Sequence, residues 1–90
     1  MAKAKQELET NSDGPGLEAF IGQPILLLCQ NYFYHGILYG VCEDFLLLKD
    51  PSIVYETGEW SDKKYKDSQR LPATFWRVMR ASVESYGVGK

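Results

Sequence analysis

Tyr32-Phe33-Tyr34-His35-Gly36-Ile37-Leu38-Tyr39-Gly40-Val41 decides how the rest of the chain is read. Aromatic and β-branched side chains dominate it, which suits a pleated strand. Alternation puts Phe33, Ile37, Tyr39 and Val41 on one face and Tyr34 and Leu38 on the other. Both faces are apolar, whereas an antiparallel sheet with one wet face alternates apolar and polar residues. Something must therefore cover the second face: the helix in part, and a neighbouring subunit for the rest. Gly36 and Gly40 interrupt one face, and glycine inside a strand marks a bulge, a bend or a close backbone approach. Two of them predict a strand that curls to close a small barrel.

Working outward, Ile25-Leu26-Leu27-Leu28-Cys29 is a continuous apolar run between Pro24 and Gln30-Asn31, too short for a typical helix and read as a buried strand. Asn31 tolerates a left-handed turn, so the two strands form a hairpin. Before them, Leu17, Phe20 and Ile21 share one helical face that Gly22 closes. Asp13 would cap that short helix near Pro15, and residues 1–13 read as a polar tail. After them, Glu43-Asp44 turns the chain, Phe45 to Leu48 restarts a strand, Asp50-Pro51 bends it, and Ile53 to Tyr55 continues it. Residues 56–72 carry many charges and no clean period, which predicts a long loop. Thr74 to Met79 is a fourth strand, and Val83 to Val88 a fifth after Arg80-Ala81-Ser82. Residues 89–90 read as a tail. The expected fold is mainly β: one domain over residues 14–88, a small five-stranded, strongly bent antiparallel barrel with a short N-terminal helix.

Ninety residues, 44% of them hydrophobic, make one domain with a packed core. So short a chain buries a modest share of its surface, and oligomerisation commonly supplies further stability. A net charge of −2 and a pI near 5.3 argue against gripping nucleic acid by bulk charge. No apolar stretch is long enough to cross a bilayer, and no secretory leader pattern follows Lys3 and Lys5. Cys29 and Cys42 read as small reduced hydrophobes, which implies a cytoplasmic setting. With the single His35 they make too few ligands for a metal site, so no metal or cofactor is expected. Gly89-Lys90 echoes the end of a phosphate-binding loop, but Glu84 stands where that motif begins with glycine. His35 has no nucleophile in a recognisable motif and is expected to make a sheet-surface hydrogen bond. The chain is therefore read as a non-enzyme.

A short helix followed by five curved antiparallel strands, the second of them bent and carrying Gly36-Ile37-Leu38, resembles the Sm/LSm family of ring proteins. The resemblance covers roughly Leu17 to Val88. Glu43-Asp44-Phe45-Leu46-Leu47 is similar to the acidic and aromatic segment of the family's first motif, and Val78-Met79-Arg80-Ala81 with Val83 to its second. The pattern departs at Leu47, where the family has a base-contacting Asn, at Glu43, which is displaced by one position, and at Ala81, where it has Gly. The resemblance implies a homo-oligomeric ring of roughly five to seven subunits closed by edge-strand pairing. It also implies a rim site for single-stranded RNA made by Phe45, Arg80 and Glu43, with a base stacked on Phe45.

Two readings follow. One is a ring that binds single-stranded RNA. The other is a structural or assembly ring without nucleic acid, which the missing Asn, the low pI and the charge-balanced loop favour. Trp60 with Lys63, Lys64 and Lys66 in the long loop is a second candidate RNA surface, although loop aromatics more often anchor a loop to its own fold. Filling the core is the more common role for an aromatic such as Phe45, and pairing with Glu43 or Glu84 is the alternative role for Arg80.

Overall fold

A computed structural model of the chain describes residues 16–90, so the expectations for residues 1–13 and for a cap at Asp13 lie outside the described part. The strands are β1 (Pro24–Cys29), β2 (Phe33–Val41), β3 (Phe45–Glu56), β4 (Asp67–Arg70), β5 (Phe75–Met79) and β6 (Val83–Val88). They make one antiparallel sheet in the order β4-β3-β2-β1-β6, with β5 also paired to β3. Among the described residues, helical structure amounts to 3-10 turns at Leu17–Phe20 and Arg80–Ser82. The first is shorter than the two-turn helix expected from Leu17, Phe20 and Ile21: Ile21 is already non-helical and Gly22 turns the chain at φ 94°.

The apolar runs become β1 and the first half of β3, and they build the core. Ile25, Leu27, Cys29, Leu38, Leu46, Leu48 and Val78 are buried together, with Leu17, Phe20, Trp76 and Val83 packed around them. Residues from β5 and β6 both reach this core, so the sheet curls around it. The curl has two visible causes. Irregularities in β2 interrupt its register with β3 between His35 and Ile37 and between Leu38 and Gly40, and such bulges sharpen local bending. At Gly36 the backbone comes so close to β3 that a Cβ would stand 3.0 Å from the Lys49 carbonyl oxygen.

The sheet is open. β5 is paired only to β3 and β6 only to β1, and nothing among the described residues joins them. The strand count also differs from the five expected, because Asp67–Arg70 lies inside the stretch read as loop and pairs with β3. All four of its residues are exposed and polar. Its pairing is made by backbone groups, which leave no apolar period to read.

β3 carries two partners on one edge. Its first half, Phe45 to Lys49, pairs with β5, and its second, Ser52 to Glu56, with β4. Between them Asp50 adopts φ 52° and Pro51 is buried. The Asp50 N–H donates to the Thr74 carbonyl (2.8 Å) and the Leu71 N–H to that of Pro51 (2.9 Å), while Arg70 Nη2 meets Asp50 Oδ1 at 2.9 Å. The bend expected at Asp50-Pro51 thus divides the edge without ending the strand.

A second, smaller apolar layer lies on the opposite face. Leu26 of β1 faces His35 of β2, and Phe33 faces Val54 of β3; Leu26 and Val54 are buried outside the main core. Here the dry second face of β2 is covered from within the chain: Tyr65 packs edge-on against His35 at 5.3 Å, and Gly89 lies against the same ring. Further along β2, Tyr39 stays 55% exposed and packs edge-on with Phe75, the ring centroids 5.0 Å apart.

Candidate functional site

The turn between β2 and β3 lies among the residues that the Sm/LSm resemblance assigns to a rim site. It is closed by the Cys42 N–H donating to the Phe45 carbonyl at 2.9 Å. The 3-10 turn that follows β5 is stitched to it twice: the Arg80 N–H donates to the Asp44 carbonyl (2.9 Å), and Arg80 Nη1 to that of Cys42 (3.0 Å). Phe45 sits opposite Met79 in the β3–β5 register. Phe45, Arg80 and Glu43 therefore lie at one end of the sheet, the three residues that the resemblance groups together. Glu43 and Arg80 are exposed and Phe45 is half-buried.

Arg80 makes no ion pair with Glu43 or Glu84 among the described residues; its guanidinium is engaged by a backbone carbonyl. The cation over the Phe45 ring is Arg77, at 5.4 Å from the centroid. Sequence reasoning missed Arg77. The available signal was alternation on β5, which turns Phe75, Arg77 and Met79 outward and Trp76 and Val78 inward. Leu47, in place of the family's Asn, faces Arg77 across the strands. The site offers one half-exposed aromatic ring, two cations and a carboxylate. It can stack a base and contact a phosphate, but it lacks the amide that would read a base edge.

Trp60, Lys63, Lys64 and Lys66 lie at the other end of β3, in the loop that follows Glu56, so the two candidate surfaces are separate. Trp60 is 68% exposed, and Lys66 pairs with Glu56 at 3.5 Å, both well solvated. An open cleft of about 580 Å³ beside this loop is lined by Phe33, Tyr55, Glu56, Glu59, Asp62 and Lys66 among others. Its carboxylates outnumber its cation, which disfavours a polyanion there.

The segment after β6, read from the sequence as a tail, is bonded to this loop. Lys90 Nζ donates to the carbonyls of Thr57 (3.0 Å), Glu59 (2.9 Å) and Lys64 (3.2 Å), and the Lys90 N–H to the Tyr65 hydroxyl (3.1 Å). No residue pattern announces such contacts, because the acceptors are backbone atoms. His35, expected to make a sheet-surface hydrogen bond, instead has Nε2 buried without a partner, and burial holds its pKa below the ordinary value. Burial, with a smaller contribution from Glu84, pushes the Cys29 thiol up.

Among the described residues no three His, Cys, Asp or Glu side chains gather where they could hold a metal ion, and no helix is long and apolar enough to cross a membrane. No family model and no curated protein matches this chain in sequence.

Proposed function

We propose that the chain is a subunit of an Sm-like homo-oligomeric ring, built by pairing β5 of one copy with β6 of the next. The observation that carries this reading is the open sheet: one curled around a common core, with an unpaired strand edge at β5 and another at β6. Free edges pair readily with another chain, and a head-to-tail pairing that rotates at each step closes into a ring. Met79 on β5 and Tyr86 and Val88 on β6 are exposed at 54%, 40% and 58%, which supplies apolar surface at both edges. In this reading β4 and β5 are the divided fourth strand of a five-stranded bent barrel, the 3-10 turn is its short helix, and β6 is the fifth strand. Light scattering should give a mass of roughly five to seven subunits. A monomer at micromolar concentration refutes the ring.

A second reading, single-stranded RNA on the ring's rim, is favoured by the meeting of Phe45, Arg77 and Arg80 at one end of the sheet. Stacking contributes about 1–3 kcal/mol per base, and repetition around a ring multiplies weak contacts. Anisotropy with labelled U-rich and A-rich oligomers should show salt-dependent binding. Phe45→Ala should weaken it more than Trp60→Ala. No binding at tens of micromolar protein in low salt leaves an assembly ring without RNA.

A further inference from the structure

Three backbone carbonyls of one loop converge on a single ammonium. Those of Thr57, Glu59 and Lys64 accept from Lys90 Nζ at 2.9–3.2 Å, and the Tyr65 ring lies beneath it at 4.8 Å. Three acceptors match the three donors of an ammonium group, and the aromatic face adds a cation–π contact. The approach is held at a second point. The Gly89 N–H donates to the Pro24 carbonyl at 2.9 Å, and the Lys90 N–H to the Tyr65 hydroxyl at 3.1 Å. The position requires glycine, because a Cβ on residue 89 would stand 2.5 Å from a carbon of the His35 ring. Beneath the closed segment, His35 Nε2 is buried and unpartnered.

We propose that the loop of residues 57–66 carries an ammonium-binding cup, that the chain's own Lys90 fills it as a latch over the outer face of the sheet, and that protonation of His35 opens the latch. The groups facing His35 decide the sign. Tyr65 comes from the loop and Lys90 from beyond β6; the cross-strand partners Leu26 on β1 and Ser52 on β3 carry no charge. Glu56 and Lys66, at the margin of the loop, pair with each other. Glu59 and Asp62, the loop's other carboxylates, are exposed, no described ion pair involves His35, and Lys90 already places a positive charge on Tyr65. Burial lowers the His35 pKa from 6.5, so the closed state prefers the neutral ring. Closure is therefore fully favoured above about pH 6.5 and weakens as pH falls below it toward the lowered value. Removing the charge of Lys90, by substitution or by acylation of its amine, empties the cup and opens the latch at any pH. This device lies at the opposite end of β3 from the Phe45 rim and does not depend on the ring.

Hydrogen exchange on the full chain, read by mass spectrometry, tests both steps. Lys90→Gln should speed exchange of residues 57–66 by about tenfold or more at pH 7.5 while β1 to β3 keep their protection. Gly89→Ala should act in the same direction, because its methyl group displaces the segment from His35. Between about pH 7.5 and about pH 5 the wild-type loop should lose protection relative to His35→Phe, a variant that keeps a ring but cannot titrate. His35→Gln is the alternative non-titrating variant if the phenylalanine form folds poorly. Unchanged loop exchange in Lys90→Gln overturns the latch. Parallel pH profiles for the wild type and the non-titrating variant overturn the acid trigger.

Discussion

At Gly36 an added Cβ would lie 3.0 Å from the Lys49 carbonyl oxygen and 3.1 Å from Leu48 Cβ, both fixed parts of β3. Gly36→Ala should therefore behave as overpacking and destabilise the fold by about 1–3 kcal/mol in denaturant titration. Gly40→Ala should do less, since its nearest neighbour is at an ordinary 3.6 Å. The two glycines look alike in the sequence; which of them is a close approach depends on register, and register is not written in either residue. The cysteines divide in a similar way. Cys29 is 5% exposed in the core, while Cys42 is half-buried at the β2–β3 turn. Cys29 should react with a thiol reagent only as the protein unfolds, because its thiol is buried and its pKa is raised. Rapid native-state labelling of Cys29 would contradict the packing described for β1. The proximity of Phe45 and Arg80 at one end of the sheet agrees with the grouping that the Sm/LSm resemblance implied. The position of Arg77 over the Phe45 ring was not, because it follows from a cross-strand register in which Leu47 faces Arg77.

β5 separates two roles that adjacent residues play. Val78 is 5% exposed and packs in the core, whereas Met79 points outward and is 54% exposed. Val78→Asp would bury an unpaired carboxylate and should abolish folding, seen as loss of the strand signal in circular dichroism. Met79→Asp should leave that signal intact and reduce the oligomer's mass in light scattering, since the charge falls on the free edge. Equal effects at both positions would mean that β5 is not an outward edge. Strands with apolar content, β1, β2, β3, β5 and β6, were all recognisable from period and composition. β4 was not, because its four exposed polar residues are placed by the backbone of β3. The helix was overextended in the reading for a related reason: Leu17 and Phe20 pack on the core, but Ile21 is 49% exposed and so gives the turn no cause to continue.

For the whole molecule, the apolar character of both faces of β2 predicted a cover, and the cover has two sources. Near His35 it is the loop and the Gly89–Lys90 segment; near Tyr39 the surface remains exposed. The sequence pattern showed that a cover was needed but could not identify it, since Tyr65 and Gly89 are distant in the chain and show no shared period. A chain that curls its sheet around one core and leaves one edge of β4, β5 and β6 unpaired has its remaining structural freedom at those edges. The divided edge of β3 has a different consequence, one for protein engineering. β4 and β5 grip the same strand through separate registers on either side of Asp50, so the tip of the loop near Ser61 can be lengthened without shifting β5 or the core. A flexible peptide inserted there adds closure entropy that grows by only about 0.6 kcal/mol for each doubling of loop length. The loop tip is thus a natural place to display a foreign epitope, and an inserted tag of ten or so residues should be accessible to its antibody while the melting temperature stays within a few degrees of the parent's.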